Sequence, residues 1–244
     1  MQRGITRALL VSEIRRFIMK NVKNIACVVL AGILALGMCS CGKKKNSGKS
    51  ADLSVKKGDT VTFGSYGGKK IEWIVLDTGD NGALIISKEG LDAKQVDDQA
   101  ETIEYLWEDC DLRAWLNGEF YDKSFSDDEK QKINKSTVKF EKCPEEYAFA
   151  SEGKDVEDYV FLLSYSEAEK YFKSDSDRKC PISETAKNNG GKELGGYCRW
   201  WLRTNAVYKN SFIIVERDGS YRTNSGTSGN QAEVCVRPAM WVTI

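Results

Sequence analysis

Residues 58–244 begin and end in strand-type sequence and hold helix-type sequence only in between, an order that few architectures satisfy. "TVTFGSY" and "KKIEWIVLDTGDNGALIISKEG" are β-branched and aromatic runs broken by Gly, Asp and Asn, with "GDNG" as a hairpin turn. Towards the end, "CRWWLRT", "SFIIVERDGSYRT" and "EVCVRPAMWVTI" read as strands, and Asp218-Gly219 supplies a second hairpin turn. In the middle, "CDLRAWLNGEFYDKSFSDDEKQKI" sets Leu112, Trp115 and Leu116 at helix spacing, with Gly118 just past the expected stop. Ser126 opens another helix, because Glu129 three residues on completes a capping box. "DYVFLLSYSEAEKYF" reads as a strand running into a helix capped in the same way by Ser164 and Glu167. This pattern predicts an α+β fold of antiparallel sheets with a few short helices, not an alternating α/β fold. Residues 173–197, "KSDSDRKCPISETAKNNGGKELGGY", have almost no apolar content and are expected to form a long loop, with "NSGTSGNQ" as another.

Residues 1–41 stand apart from that body. From Met19 they read as a basic start with Lys20 and Lys23, an apolar run from Ile25 to Met38, then Ser40 before Cys41. As a helix the run reaches only about 21 Å, short of the roughly 30 Å hydrocarbon core, so it suits a signal better than a span. Its end resembles a bacterial lipoprotein signal, in which a cysteine after a small residue receives a diacylglycerol. The resemblance implies lipidation at Cys41 and a lipid-anchored place on the extracytoplasmic face of the cell membrane. Met38 stands where that pattern usually has leucine. Residues 1–18 are read either as preceding a true start at Met19 or as an extended basic region. Residues 42–57, rich in Lys, Ser and Gly, are expected to be a flexible tether, leaving 58–244 as a single globular domain.

Charge and composition exclude several functions. Six of the 36 Lys/Arg but one of the 36 Asp/Glu fall in residues 1–41, so the remainder holds 30 basic against 35 acidic side chains. A mildly acidic body argues against a nucleic-acid partner. The chain contains no histidine, which removes every Ser-His or Cys-His nucleophile and the commonest zinc ligand. No C-x-x-C pair is present either, so no metal is expected. The acidic run from Leu91 to Asp111 lacks calcium-loop spacing and is read as solvated acids.

In a strand, Trp200 and Leu202 share one face while Arg199, Trp201 and Arg203 share the other, and Cys235 and Arg237 lie opposite Val234 and Val236. One face is core. On the other, Arg203 and Arg237 are either bonded to backbone carbonyls or to acids such as Asp111 or Asp158, or they line a ligand-facing groove with Trp201. Trp201, Arg203 and Arg237 are therefore the candidate ligand-binding residues. Beyond Cys41 the body has Cys110, Cys143, Cys180, Cys198 and Cys235. A Cys180–Cys198 disulfide would staple the polar loop for about 3 kcal/mol in the chain-entropy model. A reducing habitat would instead leave all five thiols free.

"DLRAWLNGEFYDKSFSDDEKQKI", "DYVFLLSYSEAEKYF", "WWLRT", "VERDGSYRT" and "VRPAMWV" occur in the order and spacing of the domain of unknown function 6273 family. The chain resembles that family over residues 58–244. The family occurs in bacterial lipoproteins and surface proteins. The terminal tryptophan-rich strand, D-G hairpin and closing "VRPA" also resemble the ends of C-type-lectin-like and formylglycine-generating-enzyme-like folds, a likeness of fold alone. The favoured reading is a surface-tethered, non-catalytic binding module for glycan or protein, without a cofactor, that uses Trp201 and the two polar loops. The alternatives are a structural or envelope-assembly lipoprotein, and an enzyme in which the remote fold likeness implies a copper-dependent role for Cys198 and Cys235.

Overall fold

The computed structural model describes residues 55–80, 82–98, 105–146, 148, 152–208 and 210–243. The segment read as a signal, Cys41 and most of the expected tether lie outside the described residues. Among those described, no helix is long and apolar enough to cross a membrane.

The fold is α+β. Its strands are β1 (Thr60–Tyr66), β2 (Lys69–Gly79), β3 (Gly82–Ser87), β4 (Asp92–Ala93), β5 (Ile133–Asn134), β6 (Ser136–Val138), β7 (Val156–Asp158) and β8 (Cys180–Pro181). They continue with β9 (Glu193–Leu194), β10 (Tyr197–Cys198), β11 (Trp200–Asn205), β12 (Ser211–Val215), β13 (Tyr221–Ser228), β14 (Cys235–Val236) and β15 (Ala239–Val242). One five-stranded sheet runs β1-β2-β3-β15-β5 and a second runs β13-β12-β11-β14-β4; β8-β10-β9 and β6-β7 form smaller sheets. Among the named strands pairing is antiparallel except between β11 and β14, and an isolated bridge between Gly90 and Ile182 is also parallel. Both expected hairpins are present, β2–β3 and β12–β13, and Gly82 and Gly219 take the positive φ their turns need.

Two of the chain's passages between the large sheets, from β3 to β4 and from β14 to β15, run side by side. Leu91 N donates to Val236 O, Ser87 N donates to Pro238 O, and the Arg237 Nε donates to Ser87 O at 3.0 Å. Trp73, Ile85, Ile86, Leu116, Leu163, Trp200, Phe212 and Val234 are among the buried side chains of one continuous core. Each removes roughly 1.5–3 kcal/mol worth of apolar surface from water.

The middle helices differ from expectation in one respect. Gly118 does not stop the first. Helix α1 (Asp111–Trp115) passes through a π turn, Leu116–Phe120, into α2 (Tyr121–Ser124). Burial of Leu116 and Phe120 outweighs the roughly 1 kcal/mol cost of a helical glycine. The π turn also aims the Asn117 amide at the strand segment beyond β7. Its Oδ1 accepts from Tyr159 N (2.8 Å) and Val160 N (3.2 Å), and its Nδ2 donates to Val160 O (2.8 Å). Asn117→Ala is therefore expected to lower unfolding free energy by about 2 kcal/mol, measured by urea denaturation, because it leaves backbone groups without partners.

Both expected capping boxes are present, at α3 (Asp127–Lys130) with Ser126 and Glu129, and at α4 (Tyr165–Tyr171) with Ser164 and Glu167. The stretch 173–197, expected as a loop, is instead built of α5 (Asp175–Arg178), β8, α6 (Glu184–Asn188) and the β9–β10 hairpin. Its helices are too short to show apolar periodicity. They are held by local caps, Ser174 with Asp177, and Ser183 on the Ala186 N–H.

Candidate functional site

The residues expected to read a ligand are interior. Strand β11 is central in its sheet and all six of its residues are buried, so alternation separates two covered faces and no open one. Trp201 has no exposed surface; its indole N–H donates to Lys94 O at 2.8 Å and its ring meets Phe212 edge-on. Arg203 donates to Leu162 O and embraces Glu167, with Nη2 3.0 Å from Oε1. Arg237 lies over the rings of Trp200 and Phe172 and bonds Ser87 O and Arg178 O. The groove of Trp201, Arg203 and Arg237 is thus corrected: all three hold the fold. Carbonyl bonding matches one of the expected alternatives, but the acids named for it do not. Asp158 is taken by Arg113 (2.8 Å) and the Trp107 indole (2.9 Å), and the acid that meets Arg203 is Glu167.

The five body cysteines are free thiols, Cys180 and Cys198 among them, so the expected staple is open. The acidic run is not uniformly solvated, since Asp92 and Asp97 are buried. The carboxylates of Asp97, Asp98 and Asp111 lie within 4.8 Å of one another, and Asp97 accepts from Asp111 N.

An open cleft lies elsewhere, between the tip of the β1–β2 hairpin and the start of α6, with a volume of about 410 Å³. The tip turns through Gly67 and Gly68, both at positive φ. A Cβ on Gly67 would fall 1.9 Å from Thr185 Oγ1, so only glycine lets the hairpin approach α6 this closely. Asp92 ties the two sides together. It accepts from the Tyr66 hydroxyl (2.5 Å), from Asn189 Nδ2 (2.6 Å) and from Ala93 N (2.7 Å). Burial, then the bond to Asp92 and that carboxylate's charge, push the Tyr66 phenol up, so it remains a neutral donor.

Leu91, Ile71 and Ile182 give the cleft its apolar patches, and exposed Lys69, Lys70, Glu72, Glu89 and Glu184 surround them. Glu72 pairs with Lys88 and Glu184 with Lys187. Ser183 Oγ is committed to Leu91 O and to the helix cap. The Tyr66 ring packs against Phe120 and Trp115, 5.3 and 6.2 Å between centroids. The site therefore offers both signs of charge around a small apolar patch. Such a lining is complementary to a polar surface that carries both signs of charge. Sequence reasoning missed it because the β1–β2 tip and the start of α6 lie more than a hundred positions apart; the Gly67-Gly68 turn was the local signal.

The model of the domain of unknown function, DUF6273, matches residues 80–244. The chain belongs to the DUF6273 family. No curated protein and no solved structure matches it, so neither the C-type-lectin-like nor the formylglycine-generating-enzyme-like fold gains support beyond the α+β class. The DUF6273 match starts at the β2–β3 turn, later than the residue 58 inferred from the sequence motifs. One wall of the cleft, Glu89, Leu91 and Ile182–Thr185, is inside the DUF6273 region, and the β1–β2 wall precedes it.

Proposed function

We propose that this DUF6273 protein is a lipid-anchored, extracytoplasmic binding module without catalytic function, whose cleft takes a short protein segment bearing both acidic and basic side chains. The observation that carries the reading is the cleft between Lys69–Lys70 and Glu184–Thr185, with charges of both signs around Leu91 and Ile182. A protein segment is favoured over a glycan because sugar recognition by stacking needs an open aromatic face. Tyr66 is packed on Phe120 and Trp115, and Trp201 is interior. The membrane placement rests on the basic start, apolar run and Ser40-Cys41 order. Two acyl chains at Cys41 would hold the module stably, where one would be marginal.

The test combines a peptide display library with a glycan array, both probed with the full chain in detergent. Selected peptides are expected to lose at least about tenfold in affinity on Lys69→Glu/Lys70→Glu, a change of about 1.4 kcal/mol or more. Glycan hits unaffected by that double change would sink the cleft reading. In cells, a fatty-acid analogue is expected to label the wild type and not Cys41→Ala; equal labelling would remove the anchor.

A further inference from the structure

Three of the five body cysteines converge in one place. Cys180 on β8, Cys198 on β10 and Cys235 on β14 are each without exposed surface. Cys180 and Cys198 stand directly opposite in an antiparallel ladder. Opposed residues in such a ladder have Cα atoms roughly 4.5–5.5 Å apart, within the span of about 4.4–6.8 Å that a disulfide bridges. Cys198 Sγ donates to the Cys180 and Pro181 carbonyls, at 3.4 and 3.8 Å, and shares with Cys235 Sγ the space beside Gly90. Gly90 gives the space they use: a Cβ there would lie 2.7 Å from Cys235 Cβ and 2.9 Å from Cys198 Sγ. Cys110, by contrast, donates to Trp107 O and takes no part in the cluster.

We propose that Cys180, Cys198 and Cys235 form an oxidation site in which Cys198 is the shared sulfur, bridged to Cys180 by exchange with a low-molecular-weight disulfide, with Cys235 as its alternative partner. One protein thiol, as thiolate, attacks a sulfur of the small disulfide and expels one small thiolate. The second protein thiolate then attacks the protein sulfur of the mixed disulfide and expels the other. The small disulfide is reduced to two thiols, which take up the two protons the cysteines lose, and one Cys–Cys bond forms. Burial above all, then the bond to Cys198, pushes the Cys180 thiol well above its usual range, against the pull of the Arg237 guanidinium. In the closed cluster Cys180 and Cys198 are therefore held as thiols and are slow to react. Exchange proceeds when the ladder opens. Strands β8, β9 and β10 are two residues each, so little backbone pairing resists that opening.

The experiment uses the reduced full chain in detergent, incubated with cystine, alkylated and mapped by mass spectrometry without reduction. Lysines and arginines between the three cysteines put them on separate tryptic peptides. Wild type is expected to yield a Cys180–Cys198 linkage and a higher melting temperature, both reversed by dithiothreitol. Cys180→Ser is expected to yield Cys198–Cys235 instead, and Cys235→Ser to keep the wild-type linkage. A Cys180–Cys235 or Cys110–Cys143 linkage as the main product, or five free thiols in a chain that circular dichroism shows to be folded, would overturn the proposal. Wild-type mapping decides the matter even where a variant does not fold.

Discussion

Trp201→Ala is expected to lower the unfolding free energy by about 3–5 kcal/mol, the range for deleting a large buried aromatic side chain. The indole is fully enclosed on the central strand of its sheet, edge-on to Phe212 and bonded through its N–H to Lys94 O. Truncation leaves a cavity, and the Lys94 carbonyl loses its donor, at about 1–3 kcal/mol if it stays unsatisfied. In thermal unfolding followed by circular dichroism, the midpoint should fall on the order of 10 °C for a body of this size. A ligand-facing tryptophan would cost under about 1 kcal/mol, since exposed substitutions away from such features are near neutral. A shift that small would return Trp201 to the surface.

Arg237→Ala is the second large effect, on the order of 4 kcal/mol from the lost packing volume and the orphaned Ser87 carbonyl. Arg178 O keeps the Trp200 indole as a donor at 3.0 Å, so one carbonyl and not two is stranded. Arg237→Lys should recover less than half of the loss. An ammonium cannot lie flat on Trp200 and Phe172 while also reaching Ser87 O across the paired crossings. Denaturant midpoints for the two variants check this. Full recovery by lysine would mean that charge alone matters there.

Features governed by neighbours within about four residues were legible in the sequence. The Ser126/Glu129 and Ser164/Glu167 boxes and the hairpins at Gly82 and Gly219 are all present. Local patterns do not report what covers a surface. Alternation correctly placed Trp200 and Trp201 on opposite faces, but it carried no information on whether one or both were enclosed. Gly118 carried a stop signal that burial of Leu116 and Phe120 overrode. The 173–197 stretch looked unstructured because its order comes from caps and from two-residue pairings among its own short strands. The cleft was hidden for a related reason. Asp92 reads as one more acid in an acidic run until Tyr66 and Asn189 are seen to meet on it.

The place of β15 in its sheet governs how the protein must fold. β3, an apolar strand, pairs on one side with its hairpin neighbour β2, and on the other only with β15. Ile86 and its partner Ala239 are about 150 positions apart, so closing that ladder is a late and slow event. Until it closes, "GALIIS" presents an unpaired hydrophobic edge, the kind of surface through which folding intermediates aggregate. The yield of folded protein should therefore depend on how soon β15 reaches that edge, ahead of any competing chain.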